Sequence, residues 1–168
     1  MSAPHDPRPC IVVGFDGSPA SHVALSRAIQ RVGSAGRLYL VHAWHVPQDW
    51  LGRGQYQPLV DRALSDAEAV IERAKQGHPG LAGITHEVEM IGGATAKAIA
   101  DVAEVRRADE IILGTRGFGR ARALLGSVAH EVIHLATCPV TVVPERMIEA
   151  PSLPEHAEPA IAPASATR

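Results

Sequence analysis

Cys10-Ile11-Val12-Val13-Gly14-Phe15, followed at once by Asp16-Gly17-Ser18-Pro19, decides the fold. An unbroken apolar, β-branched run of this length predicts a strand buried on both faces, as in a parallel sheet. The next four residues all favour turns, and Ser18 before Pro19 reads as a helix N-cap with proline in the first helical position. Val23, Ala24, Ile29 and Val32 then recur at roughly helical spacing, up to Gly33. A second strand is predicted over Leu38 to Trp44, which completes a βαβ unit with a right-handed crossover.

The alternation continues outward from this unit. His45 to Pro58 carries Pro47, Gly52, Gly54 and Pro58 and reads as a loop. A helix is predicted from Leu59 to Gln76, with Val60, Ala63, Leu64, Ala67, Val70, Ile71 and Ala74 on one stripe. A strand over Ile84 to Ile91 alternates Ile84, His86, Val88 and Met90 with polar residues, so one face or edge meets water. Gly92-Gly93 precede a helix from Ala94 to Arg107, and Glu110 to Leu113 is a fourth strand. The segment Gly114 to Ser127 opens a helix reaching about Ala136, and Val140 to Val143 is the last strand. Five strands alternating with four helices make an α/β protein with a doubly wound parallel sheet. The last strand lies between Pro139 and Pro144, a context suited to a sheet edge open to another chain.

The 168 residues, 46% of them hydrophobic and 20% charged, are sufficient for one domain with its own core. Residues 1–8 and the Pro/Ala-rich tail 147–168 read as disordered flanks of a domain over 9–146. Sixteen Lys+Arg against eighteen Asp+Glu leave a net charge of −2, which supplies no basic field for nucleic acid. Neither a signal peptide nor an apolar run long enough to cross a bilayer is visible, so a cytoplasmic protein without a membrane partner is expected. Cys10 and Cys138 form no metal or redox motif and read as small apolar packers.

In an open α/β sheet, ligands bind beyond the carboxyl ends of the strands, where the strand order reverses. Two segments leave strand ends with suitable chemistry: Asp16-Gly17-Ser18, and GTRGFGRARALLGS from Gly114 to Ser127. The second joins glycines that permit close backbone approach, three arginines (Arg116, Arg120, Arg122) and a helix N-terminus that favours an anion. Each has a plainer use as well. Asp16 suits an Asx turn, Gly114 and Gly117 suit turns, Ser127 suits an N-cap, and the arginines suit a solvated face.

Gly114-x-x-Gly117 with the later Gly126-Ser127 resembles the nucleotide-binding signature of the universal stress protein family. The likeness extends over residues 10–144. It takes in the first strand ending in Asp16-Gly17-Ser18, Leu40-Val41-His42-Ala43, Gly92-Gly93-Ala94 and Cys138-Pro139-Val140. The resemblance implies a flavodoxin-like fold with strand order 3-2-1-4-5 and an adenine nucleotide, ATP or another, with or without Mg. Adenine and ribose would meet Gly14, Phe15, Asp16 and Ala43, and the ribose-phosphate would meet Leu113, Gly114, Arg116 and Gly117. The outer phosphates would meet Gly126, Ser127 and Val128. It further implies a homodimer through the last strand, Pro139 to Val143, and a regulatory role in stress with hydrolysis slow or absent. One departure stands out: the ATP-binding branch has nine residues before its third glycine, whereas Phe118 to Leu125 number eight. One residue spans about 3.3–3.6 Å of chain, enough to reshape a phosphate cradle. The alternative is therefore a dimeric interaction module that binds no nucleotide.

His130-Glu131-Val132-Ile133-His134 matches the H-E-x-x-H zinc-protease pattern, but no third ligand follows and the segment reads as a crossover helix. A Walker P-loop is excluded because no lysine precedes Ser127, and Gly117-Phe118-Gly119 lacks the third glycine of a Rossmann fingerprint. Of His42 and His45, one is expected to pack and the other to be solvated.

Overall fold

The computed structural model describes residues 8–46, 53–117 and 125–145. The strands are β1 (Cys10–Gly14), β2 (Arg37–Trp44), β3 (Thr85–Gly92), β4 (Glu110–Gly114) and β5 (Val140–Val143). The helices are α1 (Pro19–Val32), α2 (Arg53–Gly77), α3 (Thr95–Arg106) and α4 (Ser127–Leu135), with a 3-10 turn at Pro79–Gly83. The sheet order is β3-β2-β1-β4-β5 and every pairing is parallel. β1 is buried along its whole length, because helices cover both faces.

Strand alternation divides the core into two halves. Ile11, Val13, Leu38 and Leu40 pack with Ala24, Leu25, Ala28, Ile71 and Ala74 from α1 and α2. Cys10, Val12, Tyr39 and Val41 point the other way and pack with Ile99 and Val102 of α3 and Val132 of α4. At the β3 edge the burial alternates. There the Arg106 guanidinium lies 4.7 Å from the Tyr39 ring centroid and 3.3 Å from Glu87, covering the sheet with its stem and charge.

Helix α2 departs from the sequence expectation. It begins at Arg53, six residues before Leu59, and takes in Pro58 from the stretch read as a loop. Pro58 is the sixth residue of the helix, past the four opening amides that lack helical acceptors, so the helix gives up one intrahelical bond there. Its apolar stripe is also buried over only half its length. Ala67, Ile71 and Ala74 are in the core, while Leu59 and Leu64 are exposed. Of the expected flanks 1–8 and 147–168, all but Arg8 lie outside the described residues.

What positions the site is the divergence of β1 and β4. β2 and β3 extend the sheet on one side of β1, β4 and β5 on the other. Beyond the ladders, the Phe15 N–H reaches the Val41 carbonyl (2.9 Å) and the Thr115 N–H reaches the Val143 carbonyl (2.8 Å). The segments after Gly14 and Gly114 then leave side by side at a reversal of strand order, where such folds open a crevice.

Candidate functional site

A cavity of about 630 Å³ opens at this crevice. β1 contributes Gly14 and then Phe15 and Asp16, and β2 contributes Val41 and Ala43. β4 contributes Leu113 and Gly114, followed by Arg116 and Gly117, and Gly126, Ser127 and Val128 close it at the start of α4. All the residues singled out as nucleotide contacts in the sequence are thus gathered around one space. Arg120 and Arg122 lie outside the described residues.

Local chemistry explains how each corner is built. The Ser18 N–H donates to Asp16 Oδ1 (2.9 Å), an Asx turn made possible by Gly17 at φ 83°. The plainer use foreseen for Asp16 is therefore real, but it engages one oxygen. The other rests against Gly117, where an added Cβ would fall on Asp16 Oδ2. Ser18 caps α1 by accepting from the Ser21 N–H (3.3 Å), and its hydroxyl donates to the Arg116 carbonyl (3.3 Å). That second bond ties the two cleft loops together across 98 residues of chain. Gly114 is needed for close packing: its Cβ would lie 2.8 Å from the Ala20 carbonyl carbon and 2.9 Å from the Ser21 nitrogen.

The N-termini of α1 and α4, both at the cavity, differ. α1 is satisfied internally, by Ser18 and by Pro19, which has no N–H. α4 has Gly126 at its N-cap and no side-chain cap. The first intrahelical donor of α4 is His130, whose N–H reaches the Gly126 carbonyl at 2.9 Å. The amides of Ser127, Val128 and Ala129 precede that ladder and are left for an acceptor from outside. The Gly126 N–H donates to the Thr115 carbonyl (2.7 Å), which ties the start of α4 to the end of β4.

Sequence reasoning missed Ser21, Thr95, Ile99, Thr115 and His130 in the cavity wall. Thr95 carried a usable signal, since it follows the Gly92-Gly93-Ala94 turn at a strand end. Ile99 and Ser21 carried none, because helix–sheet packing alone brings them in. His42 is buried with its Nδ1 2.8 Å from the Phe15 carbonyl oxygen, and His45 is exposed. His130 and His134 face each other at 4.8 Å between centroids. No group of three or more His, Cys, Asp or Glu among the described residues is arranged to hold a metal ion.

A sequence model described as the universal stress protein family matches residues 9–144. The chain belongs to the universal stress protein family. A universal stress protein from Thermus aquaticus is 34% identical over 136 residues, covering 79% of this chain and 96% of that protein. Among solved structures, UspA from Lactobacillus plantarum gives a TM-score of 0.68 at 22% identity, over 83% of this chain and 99% of its own. At that identity the likeness speaks for the fold alone. A universal stress protein in complex with cAMP gives a TM-score of 0.61 at 26% identity, over 80% of this chain and 96% of its own. Among the described residues no helix is long and apolar enough to cross a membrane.

Proposed function

We propose that the cleft binds an adenine nucleotide, and that the bound state rather than rapid turnover is the protein's signal in a cytoplasmic stress response. The observation that carries this reading is the meeting, in one cavity of about 630 Å³, of the uncapped α4 N-terminus with the Asp16 carboxylate. Free amides and the helix dipole attract phosphate. An ionised carboxylate accepts hydrogen bonds, which suits ribose hydroxyls. Val41, Ile99 and Leu113 supply an apolar wall for a flat base. The 26% identical relative in complex with cAMP supports adenine and one phosphate as the minimum ligand. The hydrogen bond from Gly126 to Thr115 supports a working phosphate end despite the shortened segment.

Isothermal titration with cAMP, AMP, ADP and ATP, with and without Mg, tests the proposal, with GMP as the control base. Adenine-dependent heat is expected in the wild type. About tenfold weaker binding is expected in Asp16→Asn and in Gly117→Val, consistent with loss of one or two polar contacts. Absence of binding by every adenine nucleotide, or unchanged affinity in both variants, would refute it.

A dimeric interaction module is the second reading, and one observation favours it. β5 forms the sheet edge, and the bonds to Pro139 and Val143 turn the amides of Val140 and Val142 outward by the period of two. Ile133 and Leu135 on the adjacent α4 are also exposed, at 47% and 45%. A second copy pairing along β5 would cover both.

A further inference from the structure

The two histidines of α4 meet on its outer face. His130 and His134 are one turn apart, both are exposed, and their ring centroids lie 4.8 Å from each other. Ala129 and Val132 hold the opposite face of the helix in the core. Among the described residues neither imidazole has a hydrogen-bond or ion-pair partner, so the ring nitrogens are open to a ligand. The pair His22 and His78 differs, because its nitrogens are hydrogen-bonded to each other at 2.9 Å. The spacing of His130 and His134 suits a metal ion. Zinc sits about 2.0–2.1 Å from an imidazole nitrogen, and so about 3.2 Å from the ring centroid. Two centroids 4.8 Å apart then subtend roughly 97° at the metal, near the angles of tetrahedral and octahedral shells. Rotation about Cβ–Cγ aims the nitrogens without displacing the centroids, and that torsion is broad for histidine.

We propose that His130 and His134 bind a divalent transition metal ion such as zinc, and that a phosphate oxygen of the nucleotide in the cleft completes its shell. The phosphate half rests on the adenine-nucleotide reading; the histidine pair does not. Helical side chains lean toward the N-terminus of their helix, so His134 reaches back over His130, and His130 over the opening turn. That turn is Ser127 to Ala129, whose uncapped amides lie at the cavity, and His130 lines the same cavity. An ion held by both rings therefore adjoins the place where those amides draw phosphate. No third His, Cys, Asp or Glu joins the pair among the described residues, so the other positions of a four-coordinate ion fall to water or to ligand oxygen. The site is thus unlike a zinc protease, and Glu131 has no part in it. Imidazole selects zinc, cobalt or nickel, whereas magnesium prefers oxygen and water.

The test uses the full chain without an affinity tag. Free of nucleotide, it is titrated with Co²⁺, followed by visible absorbance, and with Zn²⁺ by calorimetry, with Mg²⁺ as the control. Co²⁺ and Zn²⁺ should bind and Mg²⁺ should not. His130→Gln and His134→Gln should each weaken binding about tenfold or more, since even the outer-shell partners of metal ligands are worth that much. Glu131→Gln should bind as the wild type does. AMP and adenosine are then titrated with and without saturating Zn²⁺. Zinc should tighten AMP about tenfold and leave adenosine unchanged, and by reciprocity AMP should tighten zinc by the same factor. His134→Gln should abolish this coupling. A wild type that binds neither Co²⁺ nor Zn²⁺, or histidine variants that bind them equally well, would overturn the metal site. AMP affinity indifferent to zinc would overturn the phosphate ligand alone. A chain that binds zinc but no AMP refutes the cleft reading, and the phosphate ligand with it.

Discussion

Replacing Gly114 with alanine tests how tightly the cleft is anchored. The new Cβ would sit 2.8 Å from the Ala20 carbonyl carbon and Cβ and 2.9 Å from the Ser21 nitrogen, where ordinary contact begins at 3.4 Å. Two of these three atoms are backbone, in the first turn of α1, so no rotamer change relieves the clash. Positive φ is confined to Gly17, Gly33 and Gly93 among the described glycines, so the penalty at Gly114 is steric. Overpacking of this kind costs about 1–3 kcal/mol. For a domain of this size that corresponds to a fall of roughly 4–12 °C in Tm. Gly83 is the matched control, since nothing lies within 4 Å of its added Cβ. Gly83→Ala should be neutral or slightly stabilising, through a less flexible unfolded chain. Urea unfolding of both variants, followed by nucleotide titration of Gly114→Ala, gives the comparison. Equal stability of the two would show that β4 and α1 do not meet as closely as described.

Two further outcomes follow from other parts of the molecule. His78 is buried, with its Nε2 2.9 Å from His22 Nδ1 and its Nδ1 3.3 Å from Ser26 Oγ, and burial first and His22 second hold its pKa below 6.5. The unfolded chain takes the proton first, so this stabilisation is present above pH 6.5 and is lost as pH falls below it. His78→Gln should flatten the pH dependence of stability in that window, and an unchanged slope would contradict the assignment. At the β5 edge, Val142→Pro removes an outward N–H without touching the β4 ladder. Light scattering is expected to show a dimeric wild type and a monomeric variant, and an equal mass for the two would exclude pairing through this strand.

The chain's local signals were sufficient for its element order. Apolar runs such as Cys10 to Phe15 specify buried strands, Ser18-Pro19 specifies a cap, and glycines at strand ends mark where backbones come close, because these effects act within a few residues. Family likeness added the strand order and the candidate cleft residues. Tertiary structure decided what depends on distant parts meeting. Sheet order and register bring Ser18 to Arg116, His42 to the Phe15 carbonyl, His22 to His78, and Gly114 to the first turn of α1. None of these pairs has a periodicity or spacing that announces it. The start of α2 was likewise hidden, because Pro58, the sixth residue of the helix, reads in sequence like a proline in a loop. A hydrogen bond between residues far apart along the chain exists only once the sheet has set their positions, so the cleft's residue types were legible beforehand and its geometry was not.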